Sequence, residues 1–106
     1  MILCLSMYVI RELLMLFKVY SVWDSCINAY LQPLFFLTKG QAIRSLTEEV
    51  NKPDSDFCKY SDQYVLFELG TFENTDGKFE LYSAPISVGV CTEFKNIVSD
   101  KPERPN

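Results

Sequence analysis

The chain has 106 residues, a length that suits one domain. Hydrophobic residues make up 48% and charged residues 23%, which excludes an extended disordered polymer. The formal net charge of −4 argues against strong non-specific binding of duplex DNA through its phosphates, but leaves a local nucleic-acid site open.

Residues 1–17, MILCLSMYVIRELLMLF, are apolar except at Ser6, Arg11 and Glu12. A membrane span needs roughly 20 apolar residues, and the Arg11-Glu12 pair breaks the run well short of that. A secretory signal wants a basic start and a small-residue cleavage site, and neither is present. Three readings stay open for residues 1–16: a short helix packed on the domain, an interfacial segment, or an upstream extension of the reading frame. Met15 would be the start in the third.

Phe17 to Trp23, FKVYSVW, is rich in β-branched and aromatic residues and predicts a strand. Asp24-Ser25 marks a turn. Asn28 to Phe36 predicts a second strand, at an edge or bent at Pro33, because proline cannot donate to a ladder. Thr38 opens a helix. Its hydroxyl and the Gln41 side chain make a reciprocal capping box, with Leu37 and Ala42 placed to pack as a staple. Ile43, Leu46 and Val50 recur on one helical face, Asn51 closes the helix and Pro53 stops it. Residues 52–63 form a polar loop that Phe57 and Tyr60 tether to the core.

Tyr64 to Tyr82 reads as a hairpin, the element around which the chain is organised. Asn74-Thr75-Asp76-Gly77 is its turn, with Gly77 in the left-handed position. The expected register sets Phe72 opposite Glu80, Thr71 opposite Leu81 and Gly70 opposite Tyr82, whose ring would lie over Gly70. Alternation then gives a core face of Val65, Phe67, Leu69, Thr71, Phe79 and Leu81. The other face carries Tyr64, Leu66, Glu68, Phe72, Glu80 and Tyr82. Ile86 to Phe94 fits either a short strand or one helical turn, and residues 96–106 read as a disordered tail. The expected fold is α+β: a two-layer sandwich in the order β-β-α-β-β. An antiparallel sheet of about four strands carries one helix, in a single domain over residues 17–95.

The chemistry is sparse. There is no histidine to act as the usual base, and the cysteines at 4, 26, 58 and 91 form no close pair. Reduced thiols, no structural zinc, no cofactor and no enzyme are the expectations. Thr38-Lys39-Gly40-Gln41 lacks the features of a phosphate-binding loop and is better explained as a helix cap. One weak constellation remains. Lys18, Tyr20 and Arg44 lie on elements expected to be adjacent, and cations with a ring can hold single-stranded nucleic acid. The rings of the outer hairpin face, Tyr64, Phe72 and Tyr82, have Glu68 and Glu80 among them. They are expected to meet protein rather than DNA.

Several stretches taken together resemble the small non-structural protein of gokushoviruses, single-stranded DNA phages of the Microviridae. They are VYSVWD at Val19 to Asp24, LQPLFF at Leu31 to Phe36, and QAIRSLTEEVN at Gln41 to Asn51. The strand pattern of Tyr64, Leu66, Gly70 and Phe72, the Asp76-Gly77 turn, Pro85 and Phe94 extend the likeness to about Phe17–Lys95. The resemblance implies a role in viral single-stranded DNA synthesis and packaging, since that family is likened to the packaging protein C of other microviruses. It implies viral single-stranded DNA and viral replication or procapsid proteins as partners, in the host bacterial cytoplasm; the short apolar run adds the expectation of no membrane span. Residues 1–16 depart from the pattern.

Overall fold

The computed structural model describes residues 15–100. Its centre is the first strand rather than the hairpin. β1 (Leu16–Asp24) pairs antiparallel with β2 (Ala29–Tyr30) and β3 (Leu34–Phe36) on one side and with β4 (Tyr64–Glu73) on the other. β5 (Lys78–Val90) pairs with β4 and ends the sheet. Val19, Tyr20, Ser21 and Val22 are all buried, so β1 is covered on both faces. That burial suits its alternation of apolar, aromatic and small side chains.

The stretch expected as one strand over residues 28–36 is two short ones. Tyr30 pairs with Trp23, but Leu34 pairs with Tyr20, one residue out of step. Gln32-Pro33 absorbs the difference, because Pro33 has no N–H for the ladder. The turn before β2 places Asn28 at φ 55°, a left-handed conformation that asparagine tolerates.

Helix α1 (Lys39–Val50) starts at Thr38, as its sequence predicts. The Gln41 N–H donates to Thr38 Oγ1 at 3.1 Å. The returning arm differs: Gln41 Oε1 accepts from the Leu37 N–H at 3.1 Å rather than from that of Thr38. At the other end Asn51 Nδ2 donates to the Thr47 carbonyl at 2.7 Å. It reaches the Phe94 carbonyl at 3.4 Å, joining α1 to the last helix. The polar loop is more regular than expected, with α2 (Asp56–Lys59) capped by Ser55 and a 3₁₀ turn at Ser61–Gln63. Phe57 does tether it, its ring 4.7 Å from that of Tyr64, whereas Tyr60 is exposed.

The β4–β5 hairpin forms with Gly77 at φ 70°. Its register is one residue from the expected one: Phe72 faces Phe79, Thr71 faces Glu80 and Gly70 faces Leu81. Glu73 pairs with Lys78 across a four-residue turn, in which the Gly77 N–H donates to the Glu73 carbonyl at 2.9 Å. No tyrosine ring explains Gly70. A Cβ there would lie 2.2 Å from the Glu80 carbonyl oxygen, so the glycine permits close backbone approach.

The expected faces of β4 are also reversed in part. Leu66 and Glu68 are buried, because they pair with Val22 and Tyr20 on the face that the helices cover. Val65 and Phe67 lie on the other face. A bulge between Glu68 and Gly70 then shifts the alternation, which carries Phe72 to that second face with Phe17. β5 runs to Val90 and α3 (Cys91–Asp100) follows directly, resolving the ambiguous segment as strand, then helix. α3 includes residues 96–100, which the sequence assigns to the tail.

The result is a two-layer α+β sandwich with a five-stranded antiparallel sheet, β2-β1-β4-β5 with β3 also on β1. The core joins Tyr20, Val22 and Leu66 of the sheet to Ala42, Leu46 and Val50 of α1 and to Cys91 and Phe94 of α3. Met15 belongs to this unit: its N–H donates to Asn74 Oδ1 at 3.1 Å, and its carbonyl accepts from the Asn74 N–H at 3.2 Å. The expectations for residues 1–14 and 101–106 lie outside the described residues. Among the described residues no helix is long and apolar enough to cross a membrane.

Candidate binding surfaces

The three residues expected to grip nucleic acid do not make a site together. Tyr20 is fully buried, with its ring edge-on to Phe36 at 6.1 Å, so no base can stack on it. Lys18 and Tyr20 alternate onto the face that α1 and α3 cover, which the strand sequence alone could not reveal. The Lys18 ammonium lies 3.8 Å from the Glu68 carboxylate. The Tyr82 hydroxyl donates to the same carboxylate at 2.5 Å. Burial, and after it the charge and hydrogen-bonding reach of the Glu68 carboxylate, holds the Tyr20 phenol well above its usual range. The Tyr82 phenol is raised as well, chiefly by its hydrogen bond to Glu68. Lys18, Tyr20 and Tyr82 thus converge on Glu68 in a polar knot under the helices. Arg44 stands on the exposed side of α1.

The expected protein-contact rings are likewise divided. Tyr64 packs against Phe57 on the helix side, and Tyr82 is held by Glu68. Phe72 lies on the opposite face, 5.5 Å from Phe35 and 4.7 Å from Phe79. The β4 bulge separates them.

What the sequence did not expose is an aromatic face on the side of the sheet away from the helices. It has two clusters. Tyr30 sits between Trp23 at 4.9 Å and Phe67 at 5.7 Å. Phe35, Phe72 and Phe79 form the second, with Phe35 and Phe79 6.0 Å apart. Register places Phe17, Val19, Ser21 and Trp23 on this face, against Phe72, Gly70, Phe67 and Val65. None of these positions is charged. Most rings meet edge to face, the arrangement aromatic quadrupoles favour. Tyr30, Phe35 and Phe79 remain 41%, 42% and 50% exposed, so part of the face is open to a planar or apolar ligand. The only early signal was the i, i+2 spacing of Phe17 and Trp23 around Val19 and Ser21.

A separate apolar cleft of about 390 Å³ runs between α1 and the β3 edge, lined by Val22, Leu31, Leu34, Phe36, Leu46 and Phe57. Among the described residues no three acidic or cysteine side chains gather as a metal would require. Comparison with curated proteins and with solved structures returned no match. A family model described as "Phage ORF5 protein" matches residues 17–94, from the second residue of β1 to the core-forming Phe94 of α3. That match covers most of the chain and almost the whole folded unit, and the protein belongs to the phage ORF5 protein family.

Proposed function

We propose that this phage protein is a non-structural accessory factor in viral single-stranded DNA synthesis and genome packaging, in the host cytoplasm. The resemblance to the gokushovirus protein supports the biological setting. The observation that carries the molecular reading is the uncharged aromatic face with Tyr30, Phe35 and Phe79 partly exposed. Bases of a single strand stack on such rings with little sequence preference. Tyr20 has no part in this reading, and Lys18 is engaged by Glu68. Arg44, on the exposed side of α1, belongs to the helix layer on the other side of the sheet and also has no part in the reading.

Trp23 is the single tryptophan of the chain and belongs to this face, so its fluorescence is the direct probe. Titration with a thymidine oligonucleotide should quench it. Because the face has no cation, the salt slope should be shallow, about one unit or less. Absence of quenching at low salt overturns DNA binding on this face.

A second reading is a protein-interaction module acting on a viral replication or procapsid protein. The lack of cations on the face and the net charge of −4 are what support it. It predicts no oligonucleotide binding at any salt, and loss of the protein partner when Phe35 or Phe79 is replaced.

A further inference from the structure

The two edges of the sheet differ. One is made of β2 and β3, two and three residues long, with Pro33 between them. Short strands and proline are the usual guards against further pairing. The other edge is β5, 13 residues long, and among the described residues no strand lies beyond it. Its outer arm, residues 78–81, pairs with β4 on one side only. The arm therefore presents backbone N–H and C=O groups on its free side, which only another strand can satisfy as a ladder.

The side chains of this arm say which strand fits. Phe79 and Leu81, 50% and 65% exposed, project on one face. Lys78 and Glu80 project on the other, where they share a shallow groove with Leu16, Thr71 and Glu73. Like charges along the arm would repel a second copy. Here they are opposite and two residues apart, so the arm is complementary to itself. Antiparallel pairing centred on Phe79 sets Lys78 of each copy opposite Glu80 of the other, and brings the two Phe79 rings together. Opposite charges directly across a ladder are favourable, and like charges are not.

We infer that the outer arm of β5 pairs antiparallel with the same arm of a second copy, forming a two-fold dimer centred on Phe79. Pro85 limits the ladder, since it cannot donate. The contact is short and lies at the small end of specific interfaces, so the dimer is weak and reversible. It does not depend on DNA binding.

Sedimentation velocity of the full chain, from low micromolar to millimolar concentration, tests this. The average mass should rise from the 12.3 kDa monomer towards twice that value. Glu80→Lys gives an arm with two positive charges, and Lys78→Glu gives one with two negative charges. Each variant alone should stay monomeric where the parent associates, and an equimolar mixture should associate again. Circular dichroism checks that both are folded. If Lys78→Glu does not fold, Glu80→Lys still decides. It must be monomeric at low salt and regain association at about 1 M salt, where the Debye length is only about 3 Å. A parent that is monomeric throughout overturns the inference. So does a Glu80→Lys variant that associates like the parent, or one that neither the mixture nor salt restores.

Discussion

Gly70 and Gly40 show how differently one residue type behaves in two places. A methyl group at Gly70 would collide with the backbone of β5, 2.2 Å from the Glu80 oxygen and 2.7 Å from the Leu81 Cα. Gly70→Ala should therefore lower stability by about 1–3 kcal/mol in urea unfolding, the range for overpacking. At Gly40 the nearest atom is Thr38 Oγ1, at 3.8 Å, an ordinary contact. Gly40→Ala should raise stability by up to about 1 kcal/mol, because alanine loses less entropy in a helix. Equal effects at the two sites would contradict the close strand approach.

Buried acids set a second residue-scale expectation. Burial pushes the Cys91 thiol from 9.0 up to about 12, and burial with the Glu68 charge raises the Tyr20 phenol above 10.0. The folded state thus holds these protons more tightly than the unfolded chain. Their contribution is complete below pH 9 and is lost as the pH rises through the folded values. Unfolding midpoints in urea should hold to about pH 9 and fall above it. Cys91→Ala should lower the baseline but remove the first part of that fall, between pH 9 and 10. An unchanged pH profile in the variant would show that Cys91 titrates normally.

Among the elements, α1 follows its sequence most closely. Its start depends on Thr38 accepting from Gln41, so Thr38→Ala should cost about 1 kcal/mol, measured by thermal unfolding. The hairpin shows the limit of local reasoning. Its turn residues and the positive φ of Gly77 were legible, yet the register was not. Asn74-Thr75-Asp76-Gly77 fits both a bulged turn and the four-residue turn that forms, and the two differ by one residue. That difference decides whether Phe79 or Glu80 faces Phe72.

At the scale of the molecule, two helices pack on one face of the sheet and leave the other aromatic and uncharged. This asymmetry puts the binding reading on Tyr30 and Phe79 instead of Tyr20. Tyr30→Ala and Phe79→Ala should each weaken oligonucleotide binding by about five-fold or more, since one stacked base contributes about 1–3 kcal/mol. Arg44→Ala, on the helix layer, should leave oligonucleotide binding and its salt dependence unchanged. Full affinity in both ring variants would turn the reading towards a protein partner.

The sequence by itself determined the elements whose cause is local. These are β1 from its β-branched and aromatic run, α1 from its cap and 3.6-residue period, the break at Pro33, and the left-handed Gly77. It also carried the α+β class and the family likeness. Which side of each strand is the inside was decided only by the tertiary structure. β1 and β4 have apolar residues at alternate and at intervening positions, so periodicity allows either face to meet the helices. Docking of Ala42, Leu46 and Phe94 against Tyr20, Val22 and Leu66 settles the choice, and the β4 bulge then moves Phe72 across the sheet. The ring chosen for DNA is buried for that reason, and the aromatic face arises from residues far apart in the chain that only strand pairing brings together.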